Sequence, residues 1–175
     1  QPPHPGVITW ELVERALTER TRLVALASCH FASGFRIDVD RIGRELGKRG
    51  ILFSLDGIQT LGAFPVSVEH VDFVSADSHK WMLGPVGAGI FYVKASRQEL
   101  LRPTLLGSWN VVSPQFIAQE DIRFHEGARR YEPGTFSVPG IVGMGASIKF
   151  LLELGVESIG RRILELRREL LVRVR

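Results

Sequence analysis

The sequence predicts an α/β fold: three layers, with a mainly parallel sheet and helices on both of its faces. Three observations carry that expectation. The apolar runs Arg22–Ser28, Ile51–Leu55, Val71–Val74 and Ala88–Val93 are short and continuous, as strands buried on both faces read. Between the first two lies a segment whose Val39, Ile42 and Leu46 recur at helical spacing. Strand–helix–strand repetition in a chain of 175 residues, long enough for one domain with a real core, argues for helices packed on a parallel sheet.

Each element has its own signal. Thr9 can cap a helix from about Trp10 to Glu19, with Glu11 and Glu14 near its positive end. Arg22–Ser28 follows as a strand. Asp38 can cap the second helix, and Gly50 stops it. After Ile51–Leu55, a turn-rich link through Gly57, Gly62 and Pro65 leads to Val71–Val74. The bend Gly84-Pro85-Val86-Gly87 precedes Ala88–Val93. Beyond Lys94, Ser96–Leu101 reads as a helix ending before Pro103, and Thr104 to Ser137 is long and aperiodic, with several aromatics. Pro139 opens an apolar helix through Leu154 with Gly140, Gly143 and Gly145 on a crowded side; Gly155 breaks it, and a last helix runs to Arg175. The loop-like start Gln1-Pro2-Pro3-His4-Pro5-Gly6, without an initiator methionine, and the uncapped end suggest a piece of a longer protein.

Composition narrows the function classes. Apolar content of 45% and charged content of 23% are those of a soluble globular protein, so neither a membrane span nor a signal peptide is expected. The net charge of +3 is local: Arg161 to Arg175 holds six arginines and two glutamates, leaving the rest near neutral at −1. Those arginines interleave with Ile163, Leu164, Leu166, Leu170 and Leu171, which is an amphipathic helix with a solvated basic face. No nucleic-acid motif or stacking set accompanies it, so no nucleic-acid partner is expected. The single Cys29 excludes an internal disulfide, and a reducing cytoplasm is the simplest setting.

Chemistry gathers in Asp56-Gly57-Ile58-Gln59 and Asp77-Ser78-His79-Lys80-Trp81. Each follows an apolar run, and ligands of parallel sheets collect at the carboxyl ends of strands. Alone, Asp56 reads as a turn residue and His79-Lys80 as exposed surface. Together, an acid at one strand end and a lysine after the next are the parts that hold a pyridine-type cofactor. The lysine forms an imine with its aldehyde, and the carboxylate keeps its ring nitrogen protonated.

The runs Leu55-Asp56-Gly57-Ile58-Gln59-Thr60-Leu61-Gly62-Ala63 and His79-Lys80-Trp81-Met82-Leu83-Gly84-Pro85, with Asp72-Phe73 between them, resemble the class V aminotransferase family. Phe31-Ala32-Ser33-Gly34-Phe35-Arg36 upstream and Arg130-Tyr131-Glu132-Pro133-Gly134-Thr135 downstream extend the resemblance over nearly the whole chain. It implies a pyridoxal 5'-phosphate enzyme, with residues 1–137 in the large cofactor-binding domain and 138–175 leading to a C-terminal small domain. Lys80 would form the imine and move the α-proton of an amino-acid substrate. Asp56 would pair with the pyridinium nitrogen, Gln59 with the phenolic oxygen, and His79 with the phosphate. Thr135 would reach the phosphate of the neighbouring subunit in a homodimer; a turn residue before Pro139 is its other reading. Cysteine desulfurase or selenocysteine lyase is the alternative activity, and a non-catalytic interaction protein with a relic site is the alternative of another class.

Two positions depart from the resemblance. Asp77 stands where a phosphate-binding serine is expected, with the hydroxyl of Ser78 beside it; an ionised Asp77 is expected to point away from a phosphate. Phe31 occupies the place of a cofactor-contacting asparagine, and His30 reads either as its substitute or as a structural histidine. The phosphate loop and ring-stacking aromatic would precede Gln1, and the carboxylate-binding arginine and any reactive cysteine would follow Arg175. Cys29 matches neither position and reads as a small buried residue.

Overall fold

Four strands in chain order organise the residues that the computed structural model describes, 6–112 and 122–174. They are β1 (Leu23–Ala27), β2 (Leu52–Asp56), β3 (Phe73–Asp77) and β4 (Gly89–Val93). The first three run parallel, as expected, and β4 runs antiparallel to β3. The bend from Ser78 to Ala88 suffices for that last connection, because an antiparallel neighbour needs no crossover helix. β3 begins two residues beyond the start of its apolar run: Val71 and Asp72 are buried, and Asp72 bonds to the backbone on both sides, its N–H donating to the Phe53 carbonyl at 3.0 Å and its carbonyl accepting Lys94 N–H at 2.9 Å.

Helix α1 (Trp10–Ala16) is shorter than its sequence signal. Leu17 turns to extended backbone, and the Thr21 hydroxyl accepts the Thr18 N–H at 2.9 Å, replacing the next helical turn. Thr9 caps through its backbone oxygen, which accepts from Leu12 and Val13, and not through its side chain. In α2 (Val39–Lys48) the expected cap is made: the Asp38 carboxylate accepts from Arg41 N–H at 3.0 Å. Gly50, at φ 67°, ends it.

The core lies between these helices and one face of the sheet. Trp10 and Val13 of α1 and Ile42 and Leu46 of α2 meet Phe53 and Leu55 of β2 and Val74 of β3. Leu26, Leu55 and Val74 are register partners, so they stack in one cross-strand row. Each fully buried aliphatic or aromatic side chain contributes about 1.5–3 kcal/mol of transfer free energy. The alternate residues face the other way, and there Leu23 is 46% and Phe91 59% exposed; Phe73 and Phe91 stack at 6.3 Å.

After β4 the expected helix is a 3-10 turn, Ala95–Leu100, and a second one, Gly127–Tyr131, lies in the long loop. Asn110, fully buried, ties that loop together: its oxygen accepts from Gly107 N–H, and its amide donates to the carbonyls of Leu105 and Arg130. Helices α3 (Val138–Leu154) and α4 (Val156–Arg173) follow, bent by 76° at Gly155. The crowded side of α3 comprises Gly140 against Ala88 and Gly143 against Pro85, while Gly145 faces open space. Gly160 of α4 packs on Phe64. Among the described residues no single helix is long and apolar enough to cross a membrane.

Candidate active site

Strand register decides which face carries the chemistry. Leu55 points into the core, so Asp56 points to the opposite face. Ala27, Asp56, Ser75 and Phe91 are successive register partners and form one row across all four strands. Asp77 and Gly89 make the next row toward the strand end. Asp56, Ser75 and Phe91 of the first row and both residues of the second, with Ile58 and Gly87, line an open cleft of about 660 Å³, within the usual range for small-molecule sites. Backbones meet closely at Gly89, where a Cβ would lie 2.7 Å from the Ala76 carbonyl oxygen.

The Asp56 end of β2 is held from below. Ser28, buried at the end of β1, donates its N–H at 2.8 Å and its hydroxyl at 2.9 Å to the Asp56 carbonyl. The same hydroxyl lies 2.7 Å from the buried Thr60 hydroxyl. Gly57 N–H donates to the Ser75 carbonyl. The carboxylate itself is oriented by Ile58, whose N–H donates to Oδ1 at 2.9 Å, and no cation pairs with it among the described residues. Neither Ser28 nor Thr60 carried a sequence signal beyond a small polar residue at the edge of an apolar run.

Gly62 joins this turn to the one bearing Lys80. It adopts φ 92°, and a Cβ there would sit 2.7 Å from the Trp81 carbonyl carbon and 3.0 Å from Met82 N. Only a residue without a side chain lets the two backbones meet. The lysine turn is tied across itself by Leu83 N–H to the Lys80 carbonyl and Gly84 N–H to the Ser78 carbonyl. Leu83, at φ 57°, is the single non-glycine residue with positive φ among the described residues, a backbone strain of about 1–2 kcal/mol. The buried Ser78 hydroxyl donates to the Pro85 carbonyl at 2.6 Å, so it braces the bend.

The other expected residues are distributed around this frame. Asp77 lines the cleft, and both of its oxygens are engaged locally: Oδ1 accepts Ser78 N–H at 2.7 Å, and Oδ2 lies 3.0 Å from His79 Nδ1. Lys80 is exposed in the turn, without an ion pair among the described residues, and Gln59 is half-buried beside Thr60. Neither is among the residues lining the cleft. Thr135 is exposed on the long loop and is not among those lining residues. His30 is a turn residue: its Nδ1 lies 3.2 Å from Ser33 N and 3.1 Å from Ser33 Oγ. Burial pushes the Cys29 thiol pKa up, against a smaller opposing effect of Arg36.

A carboxylate without a counter-cation, an amine without an ion pair and an imidazole with one nitrogen engaged are a chemically suitable set for a pyridinium N–H, an aldehyde and an anion. Known proteins resemble this chain along most of its length. The aminotransferase class-V model matches residues 2–175. A probable cysteine desulfurase of Methanothermobacter thermautotrophicus is 32% identical over 167 residues, 94% of this chain and 41% of that protein. Another, from Borreliella burgdorferi, is 31% identical over 158 residues, 88% of this chain and 37% of that protein. The crystal structure of the Escherichia coli cysteine desulfurase CsdA (S-sulfonic acid) superposes with a TM-score of 0.76 at 26% identity, covering 85% of this chain and 37% of that one. The complex of the cystine C-S lyase C-DES with its product cysteine persulfide superposes at 0.73 and 25% identity, covering 83% and 39%. The chain spans about two-fifths of the length of the curated relatives it matches. With nearly every residue inside the family match, and the sheet superposing on solved members of that fold, this chain belongs to the aminotransferase class-V family.

Proposed function

We propose that the protein is a pyridoxal 5'-phosphate-dependent enzyme acting on an amino acid, with Lys80 as the residue that carries the cofactor. The observation that carries this reading is the backbone contact of Gly62 with Trp81–Met82, which packs the Asp56 turn against the lysine turn. When bound, the cofactor withdraws electrons from the substrate Cα. Asp56, its carboxylate oriented by Ile58 N–H, accepts the ring N–H and favours its protonated form. The Lys80 amine takes the α-proton of the substrate as general base. Gln59 donates to the phenolic oxygen, and His79 and Thr135 bind the phosphate. Thr135 serves the site of the partner subunit in a homodimer, a role compatible with its exposure. Residues 1–137 belong to the large domain and 138–175 lead to the small one.

Cysteine desulfuration is the second reading, supported by the names of the relatives at 31–32% identity. Borohydride reduction of the full-length protein with pyridoxal 5'-phosphate, followed by peptide mass mapping, tests the assignment. The label is expected on Lys80 and absent from Lys80→Ala; a label elsewhere, or none, points to an interaction protein instead. Sulfide release from cysteine, measured against amine transfer to a keto acid, separates the two activities.

A further inference from the structure

Two carboxylates, Asp56 and Asp77, line one cleft, and the reading above, on which this inference rests, has Asp56 meet the ring N–H of a phosphate-bearing cofactor and His79 its phosphate. An unpaired carboxylate beside a phosphate is repelled. Asp77 differs from Asp56 in how it is held. Its Oδ1 accepts from the Ser78 N–H at 2.7 Å, a donor shared with the Ala88 carbonyl at 2.8 Å, and Ser78 is anchored by its hydroxyl to the Pro85 carbonyl. With the carboxylate fixed on that anchor, Oδ2 meets His79 Nδ1 at 3.0 Å. The His79 side chain is about one-third exposed, so it is reachable by a ligand.

We propose that Asp77 is a positioning residue for His79: it accepts the Nδ1–H and leaves Nε2 as the nitrogen presented to the phosphate. With both ring nitrogens protonated, the imidazolium donates from Nδ1 to Asp77 and from Nε2 to the ligand anion. The negative charge of Asp77 is thereby answered within its own turn, and the ring cannot rotate without losing a charge-assisted hydrogen bond. The same contact prevents the carboxylate from facing the anion.

The test uses the full-length protein, isotope-labelled at histidine nitrogen, with Asp77→Asn, Asp77→Ala, His79→Ala and the double variant Asp77→Ala/His79→Ala. The cofactor-free protein is expected to show a protonated His79 Nδ1, and Asp77→Asn, which still folds around an amide cap on Ser78, is expected to lose that signal. Asp77→Ala is expected to weaken pyridoxal 5'-phosphate binding roughly tenfold, the scale of one charge-assisted hydrogen bond, and to have almost no further effect once His79 is alanine. Additive effects of the two substitutions, or a protonated Nδ1 that persists in Asp77→Asn, would overturn the proposal, because Asp77 would then act only as a cap on its own turn. If the unsubstituted protein binds no cofactor, the functional reading and this role fall together; normal binding with additive losses removes this role alone.

Discussion

Replacing Gly62 with alanine should destabilise the protein by about 2–5 kcal/mol and separate the two halves of the candidate site. The magnitude has two parts. Gly62 sits at φ 92°, where an L side chain adds roughly 1–2 kcal/mol of backbone strain. The new Cβ would lie 2.7 Å from the Trp81 carbonyl carbon and 3.0 Å from Met82 N, whereas ordinary contact begins at 3.4 Å. Both opposing atoms are backbone, so no side chain can swing aside, and overpacking of this kind costs roughly 1–3 kcal/mol. Relief requires the Asp56–Gly62 turn and the Lys80–Gly84 turn to part by several tenths of an ångström, a displacement on the scale that lowers catalytic rates by up to about 10²-fold. Equilibrium urea unfolding of the full-length protein reads the first effect, and titration with pyridoxal 5'-phosphate reads the second. Gly47→Ala is the matched control: Gly47 lies in α2 without positive φ, and a Cβ added there would meet no atom within 4 Å, so alanine should stabilise by about 0.5–1 kcal/mol. A Gly62→Ala protein within about 0.5 kcal/mol of its parent, with unchanged cofactor affinity, would refute the reasoning.

Two further outcomes follow from the structure. Asp72 is buried, and its carboxylate accepts Phe53 N–H at 2.9 Å and Arg97 Nε–H at 2.7 Å; Asp72→Ala strands a buried amide in the central strand and should lower stability by about 1–3 kcal/mol in the same urea assay. Because burial raises the Cys29 pKa, its thiolate fraction at neutral pH is below that of a free thiol; iodoacetamide alkylation should be slower than that of glutathione at pH 8 and accelerate as pH rises further. Alkylation as fast as glutathione at pH 8 would show that Cys29 is not shielded.

Much of the sheet was legible because its strands are short apolar runs separated by capping and breaking residues. Asp38 capped α2 and Gly50 ended it as read, since both signals act within a few residues of backbone. Signals that depend on distant partners were not legible. β3 starts two residues later than its apolar run: Val71 N–H turns back to the Val68 carbonyl, and Asp72 bonds to Phe53 and Lys94 at the edge of the ladder. α1 stopped at Ala16, where the Thr18–Thr21 turn takes over. The antiparallel direction of β4 was likewise invisible in its apolar composition. Ser28 and Thr60 beneath the site, and Asn110 in the long loop, were missed because a buried hydroxyl or amide looks like any loop residue until its partners are known.

Residue chemistry alone determined which groups this protein can offer: a carboxylate after one strand, an imidazole and an amine after the next, and the family motifs around them. That much is encoded locally, in residue type and spacing. Only the tertiary structure decided that Asp56 shares a cross-strand row with Ser75 and Phe91, that Gly62 brings its turn against the lysine turn, and that Asp77 holds His79 at 3.0 Å. Those relations come from strand register and backbone packing between segments far apart in the chain, and no single segment carries them.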